Sequence, residues 1–76
     1  MSLSEIIKNA EKKFGTVIAA MPRKSQGYRI VIMRDDPAFK DRPYMTTVSH
    51  DNDPDAFFWS SYDLTKEEAL RDLSNG

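Results

Sequence analysis

The chain has 76 residues, no cysteine, eleven basic and twelve acidic side chains. One domain (residues 1–76) is all that length allows, with about 60% of the unfolded chain's surface buried on folding. Disulfides and thiolate metal sites are excluded, and a cysteine-free chain fits a cytoplasmic protein. The near-neutral charge leaves no strong overall field to steer a polyanion. No apolar run approaches the ~20 residues that span a bilayer. Met1-Ser2-Leu3-Ser4-Glu5 lacks the basic start and apolar stretch of a secretory signal.

A first helix is predicted from about Leu3 to Phe14. Ser2 can cap it, Glu5 stands where a capping box places a carboxylate, and Leu3, Ile6, Ile7, Ala10 and Phe14 form one apolar stripe. Lys12 and Lys13 suit the C-terminal end of its dipole, and Gly15 is placed as a left-handed stop. Thr16–Met21 reads as a strand ended by Pro22, and 22–27 as a polar turn. Tyr28–Arg34 is a strand apolar on both faces in its middle, which suits a central position in a sheet. A loop holding Phe39 between Pro37 and Pro43 leads to a third strand, Tyr44–His50. Residues 51–55 form an acidic turn, and Phe57–Tyr62 a fourth strand. Thr65 and Glu68 make a second capping box for a helix ending near Leu73, after which Ser74-Asn75-Gly76 should fray. The expected fold is α+β: an antiparallel meander of three to four strands in the order α-β-β-β-β-α. Both helices are expected on one face of the sheet, with a single layer of core side chains beneath them.

Few residues offer chemistry. Asp51, Asp53 and Asp55 have the alternate spacing that opens a calcium loop. The glycine and bidentate glutamate such a loop requires are replaced by Ala56 and Tyr62, so an acidic hairpin turn is the expected reading. His50 is the only histidine, and it lacks the sequence partners of a metal site or a triad. Asp35-Asp36 precedes a proline, as loop starts do. The three glycines are isolated, so no phosphate-binding loop is present, and Ser49, Ser60 and Ser61 lack a nucleophile elbow. The expectation is a protein that is not an enzyme and has no cofactor or metal.

Aromatic residues direct the rest of the reading. Strand alternation places Phe57 and Trp59 on one face and Phe58 and Tyr62 on the other. With helices on one face, a pair of large rings is left on the open face, where it marks a partner surface or a homodimer contact, or else forms a stabilising cross-strand cluster shielded by Met45 and Thr47. The expected protein-binding residues are Arg29, Met45, Phe58 and Tyr62. The alternative is a single-stranded nucleic-acid surface built from Arg23, Lys24, Tyr28, Arg29 and Tyr44.

The C-terminal half carries a resemblance. Arg42-Pro43-Tyr44-Met45-Thr46-Thr47-Val48, Phe57-Phe58-Trp59-Ser60-Ser61-Tyr62-Asp63 and Lys66-Glu67-Glu68-Ala69-Leu70-Arg71-Asp72-Leu73 resemble the layout of short uncharacterised bacterial and phage α+β proteins. In these, a strand, a tryptophan-bearing strand and a Glu-Ala-rich helix close the chain. The resemblance implies no transferable activity and is compatible with a mobile-element origin. Together these readings point to a small soluble, cytoplasmic interaction or regulatory module with an unidentified protein partner, possible self-association and no membrane contact.

Overall fold

A computed structural model describes residues 2–24 and 27–74. Helix α1 spans Leu3–Lys13, β1 Thr16–Pro22, β2 Tyr28–Met33, β3 Tyr44–His50, β4 Asp53–Leu64 and α2 Lys66–Ser74. One turn of 3₁₀ helix, Pro37–Phe39, interrupts the loop between β2 and β3. The four strands form one antiparallel sheet in the order β1-β2-β3-β4. The α+β class and the α-β-β-β-β-α order therefore stand as expected. The middle of the 22–27 turn (Ser25, Gln26) and the expected fraying of Asn75 and Gly76 lie outside the described residues.

Local chemistry accounts for the ends of the helices. Ser2 Oγ accepts the Glu5 N–H at 3.3 Å and starts α1. At α2 the capping box is complete: Thr65 Oγ1 accepts the Glu68 N–H at 3.2 Å, and a Glu68 carboxylate oxygen accepts the Thr65 N–H at 2.9 Å. Those Thr65 bonds, backbone first, hold the Glu68 carboxyl below the usual glutamate range, with Arg42 and Arg71 adding to the effect. Gly15 follows α1 at a positive φ of 158°, which L side chains rarely adopt, though outside the compact left-handed turn expected of it, and a Cβ there would also collide with the Met33 carbonyl oxygen. Gly27 does sit in the left-handed region, at φ 68°, with its α-carbon against the Ser49 carbonyl.

The helices lie on opposite faces of the sheet, which corrects the expectation that both share one. Ile6 and Ala10 of α1 are buried with Ile30, Ile32 and Met45, and Phe14, Val17, Ala20, Tyr28 and Phe57 pack around them. Helix α2 meets the other side. Asp72 bonds to Arg29 and to Thr46, residues that alternate with Ile30 and Met45 on their strands. Val31, Thr46, Val48 and Ala69 are fully buried on that side. The physical reason is the composition of β2 and β3. Ile30, Val31 and Ile32 are consecutive apolar residues, so both faces of the central strands need cover. One helix cannot supply it, and the core is two layers rather than one.

Strand β4 is longer than expected, and its register against β3 shifts at three places, between Ser49 and His50 at the hairpin end and at two bulges further along. Val48 pairs with Phe58, Thr46 with Ser61 and Tyr44 with Leu64, so β4 carries one extra residue in each interval. The only non-glycine residues with positive φ among those described are Trp59 (53°) and Asp63 (58°), one in each extra interval. Bulges that put a residue in the left-handed region kink an edge strand and blunt it against unwanted pairing. Pro54, inside β4, is tolerated because β4 is an edge.

Candidate functional site

The bulge at Trp59 rearranges the aromatic residues. Upstream of it, Phe57 lies on the α1 side and Phe58 on the α2 side beside Val48. From Ser60 to Tyr62, before the second bulge restores it, the facing of the side chains is inverted relative to simple alternation. Ser60 joins the α1 side, its hydroxyl sharing a 2.8 Å hydrogen bond with that of Thr47. Ser61 pairs with Thr46 on the α2 side, and Tyr62 returns to the α1 side. The expected pairing of Phe58 with Tyr62 on one open face is therefore corrected: they stand on opposite faces.

Helix α2 covers only part of its face. A row of paired residues crosses all four strands there: Met21, Arg29, Val48 and Phe58. Asp72 reaches Arg29, and beyond that point the sheet emerges from under the helix. Phe58 packs edge-on against His50 (6.1 Å between centroids) and against Trp59 (4.9 Å). Neighbouring strand residues ordinarily point to opposite faces, so the Phe58–Trp59 contact is a product of the bulge. Arg23, from the end of β1, lies 5.1 Å from the indole centroid in a cation–π contact. Trp59 is 65% exposed and Met21 49%, while Phe58 and His50 are half-buried. The result is a mixed aromatic and cationic corner at the β3–β4 hairpin end of the sheet.

The carboxylates near this corner are engaged in backbone bonds. Asp51 accepts the Gly27 N–H at 2.7 Å and Asp53 the Asp55 N–H at 2.9 Å. His50 Nδ1 accepts the Asn52 N–H at 3.1 Å. Among the described residues no group of three or more histidine or carboxylate side chains converges to hold a metal ion.

The expected protein-binding residues divide. Phe58 belongs to the corner. Arg29 borders it, but its guanidinium is tied to Asp72 at 3.3 Å and its side chain is only 16% exposed. Met45 is fully buried in the α1-side core, a correction that follows from its pairing with Ile32. Tyr62 is exposed on the far side, 5.3 Å from the Arg34 guanidinium. Arg34 also lies 3.7 Å from the Phe39 ring and bonds Asp63 at 2.8 Å, which ties the 35–43 loop to the second bulge.

The alternative nucleic-acid set does not converge on one surface. Tyr28 packs against the α1-side core, whereas Arg29 points to the α2 side. Tyr44 pairs with Met33 and Leu64 at the opposite end of β3, some 13 Å from Val48 at about 3.3 Å per residue. Arg23 and Lys24 remain at the corner, Arg23 against Trp59.

Trp59 was not among the expected site residues, because strict alternation puts it with Phe57 on the covered face. The sequence did carry a sign. Over 57–62 neither alternate set is consistently apolar, and a break in alternation on an edge strand is how a bulge reads.

Among the described residues, shallow cavities of about 200 Å³ beside Ser61, Leu64, Glu68, Arg71 and Asp72 and about 180 Å³ beside Ala38, Phe39, Asp41, Arg42 and Asp63 are open to solvent. Both are smaller than the ~300–1,000 Å³ clefts that enclose small-molecule ligands. No described helix is long and apolar enough to cross a membrane.

No protein-family model, curated protein or solved structure matches this chain.

Proposed function

We propose that this chain is a non-enzymatic, cytoplasmic protein-interaction module that binds a protein partner through the corner formed by Met21, Arg23, His50, Phe58 and Trp59. The observation that supports this reading most directly is Trp59. It is the chain's single tryptophan, it is 65% exposed, and its backbone is left-handed at φ 53°. A bulky side chain in that region costs about 1–2 kcal/mol. Burial does not offset that cost here, because most of the ring faces solvent. Aromatic residues and arginine are the side chains that dominate protein interfaces, because they bring large rigid area and a directional cation together. The Arg23–Trp59 pair has that character.

The test compares tagged wild-type chain, Trp59→Ala and a distant control, Lys8→Ala, in nuclease-treated extracts of the native host. Retention of a protein by the wild type and the control, and its loss with Trp59→Ala, is the expected result. Equal retention by Trp59→Ala overturns the reading. So does a wild type that retains nothing and sediments as a monomer. Retention that nuclease or moderate salt abolishes transfers the corner to single-stranded nucleic acid, whose binding is steeply salt-dependent.

A further inference from the structure

Helix α2 has nine residues. An isolated helix shorter than about 12–15 residues is marginal in water, so α2 persists because it is docked. Its docking combines a small apolar contact with polar fixing points. Ala69 is its one fully buried residue, Leu73 is half-buried and Leu70 is 36% exposed. Asp72 holds both central strands at once: a carboxylate oxygen accepts the Thr46 hydroxyl at 2.6 Å and an Arg29 guanidinium N–H at 3.3 Å. Glu68 adds an exposed pair with Arg42 at 3.2 Å.

The dock is also imperfect. The cavity of about 200 Å³ at its edge is lined by Ser61, Leu64, Glu68, Arg71 and Asp72. Arg29 Nε is buried with no hydrogen-bond partner. Leaving a guanidinium N–H dry and unpaired subtracts from the gain of docking, and water recovers it when the helix lifts. The β2–β3 ladder runs from Arg29–Val48 to Met33–Tyr44 without α2, and the α1-side core lies across the sheet. Neither is broken if α2 leaves.

Under α2 lie Val31, Thr46 and Val48, each fully buried. Val48 pairs with Phe58, so this covered area runs directly into the Trp59 corner.

We propose that α2 is a displaceable cover, latched by Asp72, whose opening extends the Trp59 surface over Arg29, Val31, Thr46 and Val48. The inference rests on the interaction reading above, since it regulates the area of that same surface. The partner segment that fits the uncovered face is a short amphipathic helix with a small apolar residue and a carboxylate three positions later. That is the pattern Ala69 and Asp72 present to the face now. A segment of this kind competes with α2 for Arg29 and Thr46.

Hydrogen exchange read by mass spectrometry on the full chain tests the latch. In the wild type the α2 amides should exchange by a local opening, at least about tenfold faster than those of β2 and β3. Asp72→Asn, which keeps the side chain's shape and removes its charge, should speed α2 exchange by roughly another tenfold, the scale of a charged hydrogen bond. Exchange in α1, β2 and β3 should not move. A synthetic peptide of residues 65–76 should compete for the uncovered face and speed α2 exchange further in the Asp72→Asn chain, whereas the same peptide carrying Asp72→Ala should not. Exchange of α2 only together with the central strands overturns the proposal, as does an Asp72→Asn chain that unfolds throughout. Trp59→Ala should leave α2 exchange unchanged, so failure of the latch and failure of the Trp59 reading are separable.

Discussion

The two faces of one sheet are covered by helices held in different ways. On the α1 side, Ile6 and Ala10 sit among Ile30, Ile32 and Met45, and the edge-on Phe14–Phe57 contact at 5.7 Å closes the layer. Asn9 donates to the Pro54 carbonyl at 3.0 Å, and Lys13 donates to that of Asp55. On the α2 side, one alanine is fully buried in the helix, Leu73 is half-buried, and Asp72 and Glu68 add charged attachments. Apolar contact scales with area and is insensitive to small shifts, whereas a charged hydrogen bond is strong only while its geometry holds. The first side is thus suited to hold the fold, and the second to yield.

The largest effect expected from this contrast is at Ile6. Ile6→Ala should cost about 2–5 kcal/mol in urea denaturation, with the loss shared by the whole molecule. A value under about 1 kcal/mol would show that the α1 layer is not the main core. Leu70→Ala, on α2, should cost less, about 1–2 kcal/mol, because the residue is 36% exposed whereas Ile6 is 3% exposed. A cost equal to that of Ile6→Ala would erase the distinction between the faces.

Acid sharpens the comparison at the capping box. The Glu68 carboxyl is held below the usual glutamate range by its Thr65 hydrogen bonds. A depressed folded value means that the stabilisation is present above the unfolded value and is lost as pH falls through the folded one. Glu68→Gln keeps the acceptor and removes the titration. Its stability should therefore fall less steeply than that of the wild type below the ordinary glutamate range, with α2 helicity the signal that separates first. Parallel acid limbs for the two chains would contradict this.

The smallest stability effect concerns the largest side chain. Trp59→Gly removes the rings' contact with Phe58 and Arg23, each worth about 0.5–1.5 kcal/mol, and also relieves about 1–2 kcal/mol of left-handed strain. The two nearly cancel, so the midpoint of denaturation should shift by less than about 1 kcal/mol. A loss above about 3 kcal/mol would make Trp59 a structural residue and remove the main support for the interaction surface.

Much of the fold was legible before any coordinates. Helix α1, the strands and the α2 capping box arise from period, caps and turn residues, all of which are local. The run Ile30-Val31-Ile32 even carried the sign that both faces would be covered, yet counting only short connections suggested helices on one side. The candidate surface was less legible. Phe58 was found, but Tyr62 was placed by an alternation that the bulge at Trp59 interrupts, and Met45 by a register that its pairing with Ile32 overrules. A one-residue insertion leaves composition unchanged and inverts the facing of every later residue on the strand.

By itself the amino-acid order determined which segments are helical or extended, that the central strands are apolar throughout, and that no cysteine chemistry is available. Those properties depend on neighbours a few residues away. Only the tertiary structure decided that Asp72 lies against Arg29 and Thr46, that α2 covers the face opposite α1, and that Trp59 stands outward beside Arg23. Each of these joins residues far apart in the chain through strand register, which is set by the packing of the whole sheet rather than by any local pattern.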